Sequence, residues 1–134
     1  VGVGAGSSGT GTGILSGRGR VDLRQGGPEE TVVLGSIDAA AIEAAILAHK
    51  DEFRLCYERE LNAERPSLSG RVLPLFVIGS SGKVTRAAIK ESSLRNPNVE
   101  RCVLSVIKRI PFPVPAGGGT VEVTYPFKFR ALGG

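Results

Sequence analysis

The stretch from Gly70 to Glu91, GRVLPLFVIGSSGKVTRAAIKE, determines how the rest of the chain can be arranged. Residues 70–79 are rich in Val, Leu, Ile and Phe, which is typical of a strand. Ser80, Ser81 and Gly82 are turn residues, and residues 83–91 read as a returning strand. We therefore predict an antiparallel hairpin with its turn at residues 80–82.

An amphipathic helix is predicted on each side of this hairpin. The first begins at the N-cap Asp38 and ends near residues 62–64, before Pro66. The second covers residues 97–110, with Asn96 as its cap, and the prolines of residues 111–115 end it. The apolar face of the first helix recurs at three- and four-residue steps, at Ile42, Ala45, Ile46, His49, Phe53, Cys56, Tyr57 and Leu61.

The clearest strand pattern spans residues 120–130. Apolar and polar side chains alternate there, which predicts one buried and one exposed face. Residues 31–36 form a further short strand candidate, so the predicted order is (β)αββαβ. With a right-handed crossover through residues 97–110, this order predicts an α+β fold: a three-stranded antiparallel sheet with two helices on one face.

Two features of residues 70–79 strain this arrangement. Pro74 lies inside the central strand, where a missing N–H is costly, so we expect a bulge at residues 73–75. The strand is also apolar on both faces, and the helices can cover only one of them. The second face, with Leu73, Leu75 and Val77, needs a cover from residues 31–35, from another subunit or from a partner.

The two cysteines, Cys56 and Cys102, each fall on the apolar face of a predicted helix. This placement predicts a disulfide between the helices, which would indicate an oxidising compartment such as the periplasm. Two buried, reduced thiols are the alternative, because free cysteine is among the most buried residue types.

The first part of the chain differs in composition from the rest. Ten of the 19 glycines lie in residues 1–27, so we predict a flexible Gly-rich linker at residues 1–29 and one domain at residues 30–131. The chain begins with Val1 and has no secretory signal or membrane-span pattern. We therefore expect a fragment of a longer protein, whose preceding part is a candidate for a membrane anchor.

Charge and motif content argue against several functions. The net charge of +4 is polarised: residues 38–65 carry seven acidic and four basic side chains, whereas residues 71–109 carry eight basic and two acidic ones. A nucleic-acid site is not expected, because it needs a basic stripe with interleaved aromatic residues. His49, the only histidine, lies on a core face two helical turns from Cys56, so neither a catalytic pair nor a metal site is predicted. The glycines of residues 4–9 match a dinucleotide fingerprint by letter only, and no cofactor is expected.

Residues 120–130 are predicted to lie at the border of the sheet, where Pro126 needs no pairing partner for its nitrogen. Such an edge can bind an extended peptide by strand addition. Alternatively, Pro126, Lys128 and Arg130 protect the edge against pairing. The candidate partner-binding residues are Thr120, Glu122, Thr124, Tyr125, Pro126, Lys128 and Arg130.

Several motifs occur in the order found in one family. They are LCYEREL at 55–61, PSLSGRV at 66–72, FVIG at 76–79, NPNVERC at 96–102, FP at 112–113, GGG at 117–119 and VTYPF at 123–127. The chain from about residue 30 to 130 resembles the C-terminal domain of the AgmX/PglI gliding-motility family, a TonB-C-terminal-like module. The resemblance implies a fold like that of TonB and TolA C-terminal domains. That family usually has a Trp just before the Phe-Pro pair, where this chain has Ile110.

The resemblance implies a periplasmic domain of an inner-membrane-anchored protein. Such a domain transmits the work of inner-membrane motor subunits to an envelope or outer-membrane protein, whose peptide pairs with the edge strand, here residues 120–130. The leading hypothesis is therefore a non-enzymatic coupling domain. The second is a structural or oligomerisation module of the envelope, in which the doubly apolar strand pairs with a second copy as a homodimer.

Overall fold

A computed structural model describes residues 19–22, 31–61 and 68–131 of the chain. Its helices are α1 (Ala39–Leu47), α2 (Lys50–Glu58) and α3 (Pro97–Arg109), and a short 3-10 turn covers Ala116–Gly118. Its strands are β1 (Gly19–Asp22), β2 (Val32–Leu34), β3 (Gly70–Ile78), β4 (Val84–Ser92), β5 (Val121–Thr124) and β6 (Phe127–Ala131). The mixed α/β class is confirmed, but the described residues form a sheet of six strands, and the prediction of three was wrong.

The predicted hairpin forms the centre of this antiparallel sheet. β3 pairs along its length with β4 on one side. On the other side β3 changes partner, because residues 75–78 pair with β5 whereas residues 70–72 pair with β6. β2 then lies outside β5, and β1 lies outside β6. The resulting sheet is curled into a half-barrel.

Gly82 closes the hairpin turn in a way that only glycine allows. Its φ is +86°, which L side chains rarely adopt, and a Cβ built there would lie 2.5 Å from the carbonyl oxygen of Phe112. The Phe112 N–H donates to the Gly82 carbonyl at 3.1 Å. The hairpin turn therefore holds the segment that follows α3.

Pro74 lies at the point where β3 changes partner. The β3–β4 register shifts between Leu73 and Pro74, so an irregularity at the expected position is confirmed, but the extra residue is Lys90 on β4 and not a residue of β3. Opposite this point, Tyr125 and Pro126 separate β5 from β6, and the Tyr125 N–H donates to the Pro74 carbonyl at 3.3 Å. The strand predicted at residues 120–130 is therefore two strands, since proline cannot continue the ladder.

The first predicted helix is also interrupted. His49 has φ −111° and ψ 18°, which ends α1 and begins α2, so the prediction of one continuous helix was wrong. The apolar spacing continues across the break, and this is why the sequence pattern concealed it. Residues 62–67, where the helix was expected to end, lie outside the described residues.

The core lies between the helices and one face of the sheet. Aromatic pairs join α2 to β6: Phe53 lies 4.6 Å from Phe127, and Tyr57 lies 5.1 Å from Phe129, between ring centroids. Burial raises the pKa of Tyr57 to about 12. The fully buried side chains of the sheet in this core are Val72, Phe76, Ile78, Val121, Val123 and Phe127.

Helix α3 is predicted well at both ends. The Asn96 side chain accepts a hydrogen bond from the Val99 N–H at 3.0 Å, as an N-cap should. Asn96 also donates through Nδ2 to Glu60 Oε1 at 3.1 Å, which joins the start of α3 to the residues after α2. Close to this contact, Cys56 and Cys102 form a disulfide, as predicted from their two helix faces.

Of the predicted linker at residues 1–29, the structure describes residues 19–22 alone. They form β1, which pairs with β6 in the register Gly19 with Ala131 through Asp22 with Lys128. The remainder of residues 1–29 lies outside the described residues.

Candidate functional site

The predicted partner-binding segment, residues 120–130, lies inside the sheet. The outer side of β5 pairs with β2 in the register Val32 with Thr124 and Leu34 with Glu122. The outer side of β6 pairs with β1. The prediction that residues 120–130 form a border strand was therefore wrong, because alternation reports which face is buried and carries no information on lateral neighbours.

The strand that covers β5 is short and weakly buried. β2 has three residues, and two of them, Val32 and Leu34, keep 40% and 59% of their side chains exposed. Only Val33 packs against the core. Few apolar contacts therefore hold β2 in place. The outer backbone edge of β5, which β2 covers, is thus the most accessible pairing surface of residues 120–130.

The seven candidate residues do not form one surface. Tyr125 and Pro126 are buried in the break between β5 and β6, and the Tyr125 hydroxyl hydrogen-bonds Glu43 Oε2 at 3.3 Å. Thr124 is 5% exposed. The other four are half-buried or exposed, and they are the members able to meet a partner: Thr120, Glu122, Lys128 and Arg130.

The sheet has a second border that the sequence interpretation did not use. β4 pairs with β3, and no other described residue pairs with its outer side. Its register against β3 shifts twice, near Leu73 and near Ile78, and such bulges interrupt a regular pairing edge. The longest free edge is therefore less suited to adding a strand than its length suggests.

A groove of about 420 Å³ lies between α2 and α3, above the disulfide. It is crossed by an ion pair of 3.0 Å between Arg109 and Glu52, and His49 Nδ1 lies 2.5 Å from the other Glu52 oxygen. Burial raises the pKa of Glu52, but the hydrogen bonds from His49 and Arg109 outweigh it and hold that pKa below its ordinary value. His49 thus acts as a hydrogen-bonding residue at the helix break.

Residues able to hold a metal are sparse in the described ranges. No group of three or more His, Cys, Asp or Glu side chains is positioned there to hold an ion. Among those same residues, no helix has the length and apolar character needed to cross a membrane.

The chain was compared with protein-family models, with curated proteins and with solved structures, and none of these comparisons gives a match.

Proposed function

We propose that this chain is a non-enzymatic, periplasmic coupling domain of an energy-transducing envelope complex of the gliding-motility or TonB-like type. The observation that carries the proposal is the weakly held β2, whose three residues cover the pairing edge of β5. An extended peptide from an envelope or outer-membrane protein takes the place of β2 against β5. Backbone hydrogen bonds supply affinity, and side chains at alternate positions supply specificity.

Three features support this arrangement. Displacing β2 exposes little core, because Val33 alone of its three side chains packs inward. β5 itself stays in place, because it pairs with β3 and buries Val121 and Val123. The disulfide between α2 and α3 suits an oxidising compartment. In this proposal the motor subunits connect through the protein segment that precedes the domain.

The proposal makes β2 and the partner peptide mutually exclusive. Leu34 and Glu122 lie directly opposite each other on the exposed face, so cysteines at both positions lie within disulfide range. Oxidation of the Leu34→Cys, Glu122→Cys variant should lock β2 onto β5 and abolish peptide binding. The two single-cysteine variants are matched controls: both should still bind the peptide, and the Glu122→Cys variant measures by itself what the Glu122 side chain contributes to the affinity.

The peptide is found by photo-crosslinking in an envelope extract, with the photoreactive residue at position 122 and a control at Lys108 on α3. The crosslinked segment is then synthesised and titrated against the isotopically labelled chain. Amide shifts should concentrate on residues 31–36 and 120–131. If they cluster on α1 and α2 and leave residues 120–131 unchanged, or if the locked variant still binds, strand addition at β5 is wrong.

A further inference from the structure

The face of the sheet opposite the core carries apolar side chains that the helices do not cover. On β3, Leu75 and Val77 alternate with the core residues Phe76 and Ile78, so they point away from the helices, and both are half-buried. The exposed Val32 and Leu34 of β2 belong to the same face, since the Val33 between them packs on the core.

The pairing registers arrange this face in two rows across four strands. One row contains, in order from β4 to β2, Arg86, Val77, Glu122 and Leu34. The next row contains, in the same order, Ala88, Leu75, Thr124 and Val32. Val77 and Leu75 therefore each have a neighbour on both adjacent strands. The two neighbours of Val77, Arg86 and Glu122, carry opposite charges.

The two charged side chains are available for a partner. Arg86 is exposed and Glu122 is half-buried, and neither side chain forms a hydrogen bond or an ion pair with a residue of 31–61 or 68–131. They lie two strands apart, at a backbone separation of about 10 Å, with Val77 between them. A partner surface that matches them must present an acidic and a basic group at the same spacing on either side of an apolar centre.

A second copy of this chain presents that pattern. We infer that the chain forms a homodimer through this face, with a two-fold axis running along β3. This two-fold rotation places Val77 and Leu75 of one copy against the same residues of the other copy. It also places each Arg86 against the other copy's Glu122. Packed sheets lie about 10 Å apart, a gap that an arginine and a glutamate reaching toward each other can span.

Other two-fold placements are less favourable. An axis along β5 places Glu122 against Glu122, which costs like-charge repulsion. The axis along β3 also leaves β2 at the rim of the interface, so dimerisation and the displacement of β2 do not compete. The matched surface is on the order of a few hundred Å² per copy, below the roughly 800 Å² of a standard interface, so the dimer should be weak and reversible, with a Kd below about 1 mM.

The experiment measures self-association of the full chain by sedimentation equilibrium up to about 2 mM. Arg86→Glu and Glu122→Arg should each weaken the dimer at least about tenfold, since each places like charges opposite each other. Lys108→Glu makes the same change in charge as Arg86→Glu on the helical side of the molecule, so it is the matched control and should change the Kd less than about twofold.

Mixing the two single variants gives the decisive measurement. In the mixed dimer the glutamate introduced at position 86 of one chain faces the arginine introduced at position 122 of the other. The unchanged Glu122 of the first chain faces the unchanged Arg86 of the second, so the two chains should associate with each other more tightly than either associates with itself. Recovery to within about threefold of the wild-type Kd also shows that both variants are folded. A wild-type chain that stays monomeric at about 2 mM overturns the proposal, as does a dimer insensitive to both single changes or a mixture that does not recover.

Discussion

Removing the disulfide between Cys56 and Cys102 should cost this domain a large part of its stability. The bond closes a loop of 46 residues, which in the chain-entropy treatment corresponds to about 4 kcal/mol at 25 °C. Cys56 is 3% exposed and Cys102 packs beside the core, so replacing both with alanine also leaves a small packing defect. We expect the double Cys→Ala variant to lose about 3–5 kcal/mol of unfolding free energy.

Urea unfolding of the oxidised chain, the reduced chain and the double variant measures this loss. The m-value should rise when the crosslink is absent, because the unfolded chain is then less compact. The reduced chain and the double variant should agree within about 1 kcal/mol, since they differ only in the two thiol groups. A loss below about 1 kcal/mol would refute the reasoning, and it would mean that the contact of Glu60 with Asn96 and the ion pair of Glu52 with Arg109 already hold α2 and α3 together.

Three further substitutions should have measurable effects. Gly82→Ala should destabilise the fold by about 2 kcal/mol or more in urea unfolding, because it combines a positive φ with a contact of 2.5 Å to Phe112, whereas Ser81→Ala in the same turn should be nearly neutral. Asn96→Ala should cost about 1–2 kcal/mol of unfolding free energy through loss of the α3 cap, and Asn96→Ser should recover part of it, because it restores an acceptor without placing a second carboxylate beside Glu60; equal losses in the two variants would contradict a capping role. Because the pKa of Glu52 is lowered by folding, its carboxylate stabilises the fold above its unfolded pKa, and this stabilisation is lost as the pH falls through its folded pKa. Glu52→Gln should therefore reduce the difference in unfolding free energy between pH 6 and pH 3. An unchanged difference would show that the carboxylate contributes nothing to stability.

The elements with the strongest local signals were predicted correctly. The Asn96-Pro97 start of α3, the hairpin turn ending at Gly82 and the irregularity at Pro74 each depend on the backbone chemistry of one or two residues. Such preferences are encoded locally, so one sequence suffices to find them.

The lateral order of the sheet was not predictable in the same way. The alternation at residues 121–129 correctly separates core residues such as Val123 from Glu122 on the other face. It does not tell whether another strand lies beside them, and residues as few as Val32–Leu34 were enough to cover the edge of β5. The helix break at His49 was missed for a related reason, because the apolar spacing from Ile46 to Phe53 is compatible with both a continuous and an interrupted helix.

The segment around Thr124 was named from the sequence, and partner binding there stays a prediction. The structure adds β2, which lies beside β5, and the oppositely charged Arg86 and Glu122 on either side of Val77. Both additions depend on strand registers between residues distant in sequence, and a single sequence does not reveal these registers.

The partner change at Pro74 also divides the sheet mechanically. At one level across the sheet, β4 is bulged, β3 shifts its register and the chain between β5 and β6 is interrupted at Pro126. The ladder of residues 75–78 with β5 and the ladder of residues 70–72 with β6 are separated at this level, where the Tyr125 N–H donates to the Pro74 carbonyl. A load that pulls β2 and then β5 from the sheet therefore breaks the hydrogen bonds of these strands one after another. The pairing of β6 with β3 stays intact, because α2 packs on β6 through its aromatic contacts.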